Sequence, residues 1–324
     1  MFSWPPLPRP ILALAPMADM TDQPFCLVCK KFGDPIIFRE MVSSEAIVRE
    51  NEKTWKMVAI DERERPLIQQ IFGNDPSTMA EAARLIVERV HPDGIDINMG
   101  CPVNKIVSNF DGSALIKDPA RSAEIVRAVK AAVTIPVSVK TRLGWSRKDE
   151  CVSFVQTLAD AGADLITIHG RTKEQGYSGI ADWEAVGVAR RAIPHIPFLV
   201  NGDIVDTSSA QHALAITGAD GVMIGRGALG NPWIFNTIRS PSPSEGEGLG
   251  VRWFGVPPAT ERIATVLEHA RLQCERYGEE SGMRKLRKHL PFYFKGEAQW
   301  KELRMNLVRV STFLELEQLL KATL

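Results

Sequence analysis

The chain has 324 residues, of which 44% are hydrophobic and 24% charged, a composition typical of globular proteins and unlike disordered or fibrous ones. Lys plus Arg and Asp plus Glu both number 39, so net charge alone indicates no polyanionic partner. No apolar run approaches the roughly 18 residues that cross a bilayer, and the proline-rich start carries no signal-like stretch. Five cysteines are too few for a disulfide scaffold. We therefore expect a cytoplasmic protein without membrane association, and a monomer.

Short β-rich runs alternate with amphipathic segments about eight times between residues 11 and 240. The runs are Ile11–Pro16, Pro35–Met41, Pro66–Phe72, Gly94–Asn98, Pro136–Thr141, Leu165–His169, Pro197–Asn201 and Gly221–Gly225. Most are continuous apolar stretches, which is typical of parallel strands covered on both faces. The segments Pro76–Val90, Ala120–Val133 and Cys151–Ala161 between them show helical spacing of apolar residues. The pattern predicts an α/β protein with a (β/α)8 TIM barrel over residues 1–240. A doubly wound open sheet is the alternative, disfavoured because no glycine-rich dinucleotide fingerprint follows the first strand.

A Ser-, Pro- and Gly-rich stretch at 241–258 predicts a linker or surface loop, and 259–324 reads as a small all-helical domain of three or four helices. Two apolar stripes support this prediction, the second formed by Leu303, Leu307, Val310 and Leu314. Between residues 284 and 309 eight basic residues face two acidic ones, with Phe292, Tyr293, Phe294 and Trp300 interleaved. Such a surface could bind RNA phosphates and stack bases. The alternative is a solvated helix face with a few core aromatics.

Polar and glycine residues follow seven of the eight predicted strands, at the ends that form the mouth of a barrel. Gly202, Gly225 and Gly227 would let the backbone approach an anion, and Arg226 would bind it. Lys140 and His169 could donate hydrogen bonds to an electron-rich ring. Together they indicate a phosphorylated, planar, electron-accepting cofactor, for which FMN fits better than a dinucleotide. Taken singly, each residue also has a structural explanation, such as a turn, a helix cap or a core histidine.

Cys101 lies between a glycine and a proline after the fourth predicted strand, so we expect it on a rigid loop over the mouth. A thiol is mostly protonated at neutral pH and can act as a general acid there. A buried structural cysteine is the alternative. Cys26 and Cys29 are spaced like half of a metal site, but no second pair exists, so helix packing explains them better. We predict no metal.

Nine segments resemble those of the bacterial tRNA-dihydrouridine synthases, in order along the whole barrel. They are APMADMTDQPF (15–25), EMVSSE (40–45), QIFGNDP (70–76), DINMGCPVNKI (96–106), GSAL (112–115), VKTRLGW (139–145), ITIHGRTKEQGYSG (166–179), NGDI (201–204) and MIGRGALGNPWIF (223–235). The wording VKTRLGW and NPWIF and the basic run MRKLRKHLPFYF (283–294) resemble the B-type branch most.

The resemblance implies an enzyme that reduces the C5=C6 bond of specific uridines in tRNA, with FMN as cofactor and NADPH or NADH as electron donor. Carried over by motif, the FMN-binding residues are Pro16, Met17, Ala18, Gln70, Lys140, His169, Asn201, Gly202, Asp203, Gly225 and Arg226. Hydride would pass from flavin N5 to C6 of uracil, and Cys101 would protonate C5 as the active-site acid. Asn98, Lys140 and Arg142 would orient the pyrimidine, and the helical domain would bind tRNA through Arg284, Arg287, Lys288 and His289.

Two features depart from the family pattern. Asp19 stands where glycine is more usual, which could alter the loop beneath the flavin, and the stretch at 240–258 is inserted. Two other functions stay open: a flavin barrel that acts on a free pyrimidine, and a non-catalytic RNA-binding protein. The basic helical domain disfavours the first, and the presence of Cys101, Lys140 and His169 disfavours the second. The sequence does not say which tRNA uridine is reduced, or whether NADPH or NADH is preferred.

Overall fold

The first part of the chain is a closed barrel of eight parallel strands paired in sequential order. The computed structural model describes residues 4, 9–239, 257–296 and 298–323. The strands are β1 (Ile11–Leu14), β2 (Ile36–Ser43), β3 (Leu67–Phe72), β4 (Gly94–Met99), β5 (Val137–Arg142), β6 (Leu165–His169), β7 (Phe198–Asn201) and β8 (Gly221–Ile224). The first and last strands pair from Ile11 opposite Gly221 to Leu14 opposite Ile224, which closes the ring. The (β/α)8 prediction is confirmed, and the open sheet is wrong.

Four strands begin one residue later than predicted, and in each case the excluded residue is a proline. Pro35, Pro66, Pro136 and Pro197 immediately precede β2, β3, β5 and β7. Proline has no N–H to donate to a neighbouring strand, so it stands at the entry of each strand.

Helices cover the outside of the barrel, most of them following a strand. They are α1 (Gln23–Lys31), α2 (Ser44–Val48), α3 (Glu52–Val58), α4 (Pro76–Val90), α5 (Asn104–Val107), α6 (Pro119–Ala132), α7 (Glu150–Asp160), α8 (Trp183–Ala192), α9 (Thr207–Thr217) and α10 (Ile234–Arg239). Short 3-10 helices span Glu62–Glu64, Gly112–Lys117 and Arg226–Ala228. Aspartates cap several of the α-helices. At α4, for example, the Asp75 side chain accepts the Thr78 N–H.

The interior of the barrel is apolar near the end where the strands begin and polar toward the mouth. Ile11, Ala13, Ile68, Leu199 and Met223 belong to one buried apolar cluster. Further along the same strands the buried side chains become polar, as at Gln70, Asp96, Ser138, His169 and Asn201. Burying a polar group is costly unless it is hydrogen-bonded, so this polar layer is a built feature of the fold.

Five α-helices follow in the described residues after 256. They are α11 (Ala259–Tyr277), α12 (Glu279–Leu286), α13 (Leu290–Tyr293), α14 (Lys301–Leu307) and α15 (Phe313–Lys321), with a 3-10 turn at Ala298–Trp300. Three or four helices were expected. None of the described helices has both the length and the apolar character needed to cross a membrane. The predicted linker at 241–258 lies outside the described residues except for 257 and 258.

The second apolar stripe of this helical domain is only partly as predicted. Leu303, Leu307 and Val310 are buried, but Leu314 is 59% exposed. The helix ends before Val310, and Thr312 caps the new helix α15, whose buried residues are Leu316 and Leu320. Placing Leu314 in the core was therefore wrong, because the stripe assumed one continuous helix.

The helical domain is joined to the barrel by buried polar side chains. The Asp22 carboxylate, at the start of α1, accepts a hydrogen bond from Gln273 Nε2 on α11 at 3.1 Å. His269 Nδ1 lies 3.1 Å from the Tyr293 hydroxyl, and the His289 ring packs on Phe25 with centroids 4.8 Å apart.

Asp22, His269 and His289 place possible metal-ligand atoms within 4.8 Å of one another. The Gln273 amide nitrogen lies among them, 3.4 Å from His269 Nε2. Asp22, His269 and Gln273 therefore form a hydrogen-bonded contact between the barrel and the helical domain. In this contact the Gln273 amide nitrogen already donates to the Asp22 carboxylate.

Candidate active site

A cavity of about 370 Å³ opens at the mouth of the barrel. This volume lies within the usual range for small-molecule sites, about 300–1,000 Å³. The lining includes nine of the predicted cofactor residues: Pro16, Met17, Lys140, His169, Asn201, Gly202, Asp203, Gly225 and Arg226. Phe292 and Lys295 of the helical domain close one side. Ala18 and Gln70, also predicted to bind the cofactor, do not line this cavity.

The ends of β7 and β8 form a tight glycine-rich cradle. A Cβ on Gly227 would lie 2.1 Å from the carbonyl oxygen of Ile204, so only glycine fits there. Gly202 has a φ of +111°, a left-handed conformation that side chains disfavour. The Arg226 side chain is 54% exposed beside this cradle. Close backbone approach with an adjacent guanidinium suits a phosphate group.

Lys140 projects its ammonium into the cavity. Within the described ranges no hydrogen bond or ion pair satisfies this group. Burial, and then the nearby charge of Arg142, lower the pKa of Lys140 to about 8. This partly buried ammonium has no acceptor among the described residues, so an acceptor atom on a bound ligand would complete the site.

His169 is held as a neutral ring by its neighbours. Arg171 Nη1 lies 3.2 Å from His169 Nε2, and a guanidinium can only donate, so Nε2 accepts and the proton lies on Nδ1. Burial and the nearby charges of Lys140 and Arg142 lower the pKa of His169 well below its usual value. His169 is therefore a neutral donor at any ordinary pH.

Asp203 acts through Arg171 as well as at the cavity. Its carboxylate accepts two hydrogen bonds from Arg171, at 3.0 and 2.7 Å, and one from the Ala181 N–H at 2.8 Å. Asp203 has a φ of 56°, a left-handed conformation that aspartate tolerates better than most side chains. Asp203 thereby fixes the guanidinium that orients His169, a role that strand-end position did not predict.

Arg142 secures the loops around the mouth. Its side chain donates to the carbonyl oxygens of Gly100 at 2.8 Å, Thr172 at 3.0 Å and Gly176 at 2.7 Å. The exposed Tyr177 ring lies between two guanidiniums, 5.4 Å from Arg142 and 4.9 Å from Arg226. The prediction that Arg142 orients a pyrimidine stays a prediction, and the contacts show a loop-holding residue.

Cys101 follows β4 directly and lies beside β5. The Asn98 side chain accepts its N–H at 2.9 Å, and its carbonyl accepts the Ser113 hydroxyl at 2.8 Å. Burial raises the pKa of the Cys101 thiol, although the charges of Arg142 and Lys140 act against this. The thiol therefore remains protonated at neutral pH, and Lys140 lies close enough to act on it electrostatically. Cys101, Asn98 and Arg142 are not among the residues that line the cavity.

Comparison with known proteins identifies the kind of barrel. The profile of the dihydrouridine synthase (Dus) family matches residues 13–324. The chain belongs to this family. A "tRNA-dihydrouridine synthase B" of Pseudomonas aeruginosa is 39% identical over 283 residues, 87% of this chain and 83% of that protein. A "probable tRNA-dihydrouridine synthase" of Rhizobium leguminosarum is 38% identical over 284 residues, covering 87% and 84% respectively. This confirms the resemblance seen in the sequence, including the B-type branch, and makes the chain an enzyme of an oxidoreductase family.

A solved structure shares the fold at much lower identity. It is a 2-naphthoyl-CoA reductase in complex with 2-naphthoyl-CoA, with a TM-score of 0.56 and 12% identity over 72% of this chain and 50% of that one. At that identity the likeness concerns the fold alone.

The basic cluster of the helical domain is divided between surface and interior. Arg284 and Lys288 are exposed, and Lys288 Nζ lies 3.3 Å from Asp19 Oδ2 of the barrel. His289 is 1% exposed. The prediction that His289 contacts RNA is corrected, because its ring packs against Phe25 in the join between the two parts.

The aromatic side chains of the same segment also divide. Tyr293, Phe294 and Trp300 are buried in the helical core, whereas Phe292 lines the cavity. A surface of interleaved rings for stacking bases was therefore wrong, and the alternative of core aromatics is right for these three.

Several residues of this candidate site were not predicted from the sequence. Arg171 and Tyr177 lie in the motif HGRTKEQGYSG, on which the resemblance partly rests. Their position after a strand did not indicate which side chains they contact. Lys295 reaches the cavity from the helical domain. Asp96 lies beneath the mouth, and its alternation along β4 could have placed it inside the barrel.

Proposed function

We propose that this chain reduces the C5=C6 bond of specific uridines in tRNA to 5,6-dihydrouridine, with FMN as cofactor and NADPH or NADH as electron donor. One observation carries the proposal: Lys140, which has no hydrogen-bond or ion-pair partner among the described residues, lines the same cavity as the glycine cradle and Arg226, and it acts electrostatically on the Cys101 thiol. Membership of a family whose curated relatives are named for tRNA supports it. The cytoplasm and a monomeric state stay predictions.

The cavity fits FMN in its donor set. The backbone at Gly202 and Gly225 and the Arg226 guanidinium would hold the phosphate. Lys140 and the Nδ1–H of His169 would donate to the acceptor atoms of the flavin ring. FMN, when bound, supplies the hydride that reduces the pyrimidine.

The chain's own residues supply the proton and the positioning. Cys101 Sγ–H donates the proton that saturates C5, so hydride and proton together complete the reduction. Charge that develops on the C4 carbonyl is stabilised by fixed donors at the mouth, of which Lys140 is the strongest. Arg142 keeps the Cys101 loop and the Tyr177 loop in place while the base is bound.

The helical domain holds the rest of the RNA. Arg284, Arg287 and Lys288 would bind phosphates, and Phe292 and Lys295 of the same domain line the cavity. A base within a stack cannot enter a cavity enclosed by side chains, so the target uridine must turn out of its loop. We expect loop nucleotides to be preferred for this reason.

Two measurements test the function. The purified protein is reconstituted with FMN and given tRNA or free uracil with NADPH or NADH, and dihydrouridine is quantified. In parallel, dihydrouridine is mapped in tRNA from a deletion strain carrying this gene. Product on tRNA alone supports the proposal, and the restored position identifies the uridine. Product on free uracil alone favours the free-pyrimidine oxidoreductase, and a protein that takes up no flavin favours a non-catalytic RNA-binding barrel.

A further inference from the structure

A chain of buried side chains connects the barrel interior to the backbone of Cys101. Gln70, Asp96 and Ser138 stand opposite one another on β3, β4 and β5. Ser138 Oγ donates to one Asp96 oxygen at 2.6 Å, and Gln70 Nε2 donates to the other at 2.6 Å. Asp96 is fully buried, so its carboxylate depends on these side chains for its hydrogen bonds.

The same chain continues to the mouth. Asn98 Nδ2 donates to Gln70 Oε1 at 2.8 Å. Asn98 Oδ1 then accepts the N–H groups of Gly100 at 3.1 Å and Cys101 at 2.9 Å. Each side-chain amide therefore donates through its nitrogen and accepts through its oxygen. The Gln70 amide binds the Asp96 carboxylate, and the Asn98 amide binds the backbone of Gly100 and Cys101.

The direction of every bond in this chain follows from its two ends. An ionised carboxylate only accepts, and a backbone N–H only donates. If either amide were turned over, two donors or two acceptors would face each other inside the barrel, which leaves a buried polar group unsatisfied. The arrangement therefore has one consistent set of donors and acceptors, and the Asp96 carboxylate fixes it from below.

We propose that Asp96 is a positioning residue for Cys101, holding the acid's loop through the Gln70 and Asn98 amides. The inference rests on the proposed function for its catalytic meaning, but the hydrogen-bond relay stands independently of it. Burial raises the pKa of Asp96 to about 6, so the carboxylate is ionised at pH 7 and above.

The primary experiment measures amide hydrogen exchange of the Gly100–Cys101 segment in flavin-free protein. Asp96→Leu keeps a similar size but removes both acceptor oxygens, so the buried Gln70 Nε2 loses its partner. We expect exchange at these amides to rise about tenfold. Asp164→Asn is the matched control, since Asp164 accepts from Lys130 and the Val137 N–H, both at 2.7 Å, at the entry of β5. The control should leave the Cys101 segment unchanged.

A second variant keeps the test decisive if Asp96→Leu loosens the whole barrel. Asp96→Asn keeps the acceptor that the relay needs, because its Oδ1 can accept from Gln70 Nε2 while its Nδ2 donates to the Ser138 hydroxyl, which can also accept. Slow exchange of the Gly100–Cys101 segment in Asp96→Asn supports the relay. Exchange at wild-type rates in Asp96→Leu overturns it, as does exchange in Asp96→Asn no slower than in a globally loosened Asp96→Leu.

Activity gives the catalytic part of the inference. With reduced FMN enzyme and tRNA in single turnovers, Asp96→Leu should slow the chemical step about tenfold while the KM for tRNA stays unchanged, and Asp96→Asn should restore most of the rate. A rise in KM with an unchanged rate would overturn the positioning role. If the wild-type protein forms no dihydrouridine at all, the proposed function fails, while the exchange measurements still decide the relay.

Discussion

The barrel mouth and the helical domain both carry many cations, but they use them differently. At the mouth two arginines are held by hydrogen bonds to several partners: Arg171 by Asp203, and Arg142 by three loop carbonyls. In the helical domain Arg284 and Lys288 stand at the surface, and Lys288 already contacts Asp19. If the proposed function holds, the mouth should bind a ligand of fixed shape, and the surface of the helical domain should bind a polyanion without strict geometry.

This difference predicts how each region responds to change. A substitution at the mouth should alter the chemistry or the cofactor, with large effects that salt does not change. A substitution on the helical surface should alter affinity alone, with small effects that salt screens.

The largest effect is expected at Cys101. Cys101→Ala removes the proposed acid, and general acids typically contribute about 10²–10⁴-fold, so turnover on tRNA should fall by that range. FMN content and tRNA affinity should stay unchanged, because neither depends on the thiol. Cys101→Ser is the matched control for the shape of the side chain. Normal turnover of the alanine variant would defeat the proposed role.

Gly230→Ala tests whether the two regions depend on each other. Its Cβ would lie 2.1 Å from the Phe292 carbonyl carbon, at a φ of +66°. We expect a loss of at least about 2 kcal/mol in unfolding free energy, measured by denaturant melts, as α13 is displaced. Gly218→Ala is the control, since its φ is +64° but no atom lies within 4 Å of its Cβ. Equal losses in both variants would show backbone strain alone.

The pH dependence of FMN binding should report Lys140. Its pKa is lowered to about 8, so the ammonium that donates to the flavin is present below pH 8 and lost above it. The affinity for FMN, measured by flavin fluorescence quenching, should be level below pH 8 and fall by up to about tenfold per pH unit above it. Lys140→Met should bind more weakly and show no such step. The same step in Lys140→Met would assign it to another group.

The smallest effect is expected on the helical surface. Lys288→Glu should weaken tRNA binding a few-fold and reduce the salt slope by about one unit. Asp19→Asn should strengthen binding slightly, because it frees Lys288 from its ion pair. Arg127→Glu, an equal charge change on the exposed side of α6, should have no effect. Filter binding over a salt series measures all three, and equal weakening by Arg127→Glu would remove Lys288 from the interface.

The sequence predicted the barrel and most of the cavity because both follow from strand order. Parallel strands end at one edge, so residues after β5 to β8 had to converge there. What the sequence lacked was the direction of each side chain. For example, the sequence placed Asp203 at the mouth but could not predict that its carboxylate accepts hydrogen bonds from Arg171.

The helical domain was harder to predict because no sheet fixes which face of a helix is covered. Leu314 matched a helical stripe but lies after a break, and its side chain is exposed. His289 and Tyr293 lie in a basic segment that suggests an exposed surface, yet both side chains are buried. His289 packs on Phe25 of the barrel, and Tyr293 contacts His269 within the helical domain. Local charge density does not reveal such tertiary contacts.

The join at Asp22 and Gln273 has a consequence for chimeric enzymes. These partners lie 251 positions apart in the chain, on different structural parts, and their side chains are in direct hydrogen-bond contact. Suppose that the helical domain of a relative with an apolar residue in place of Gln273 is grafted onto this barrel. The buried Asp22 carboxylate at the start of α1 would then lose the hydrogen bond from that side chain. Successful transplants should therefore carry both members of the pair, or neither.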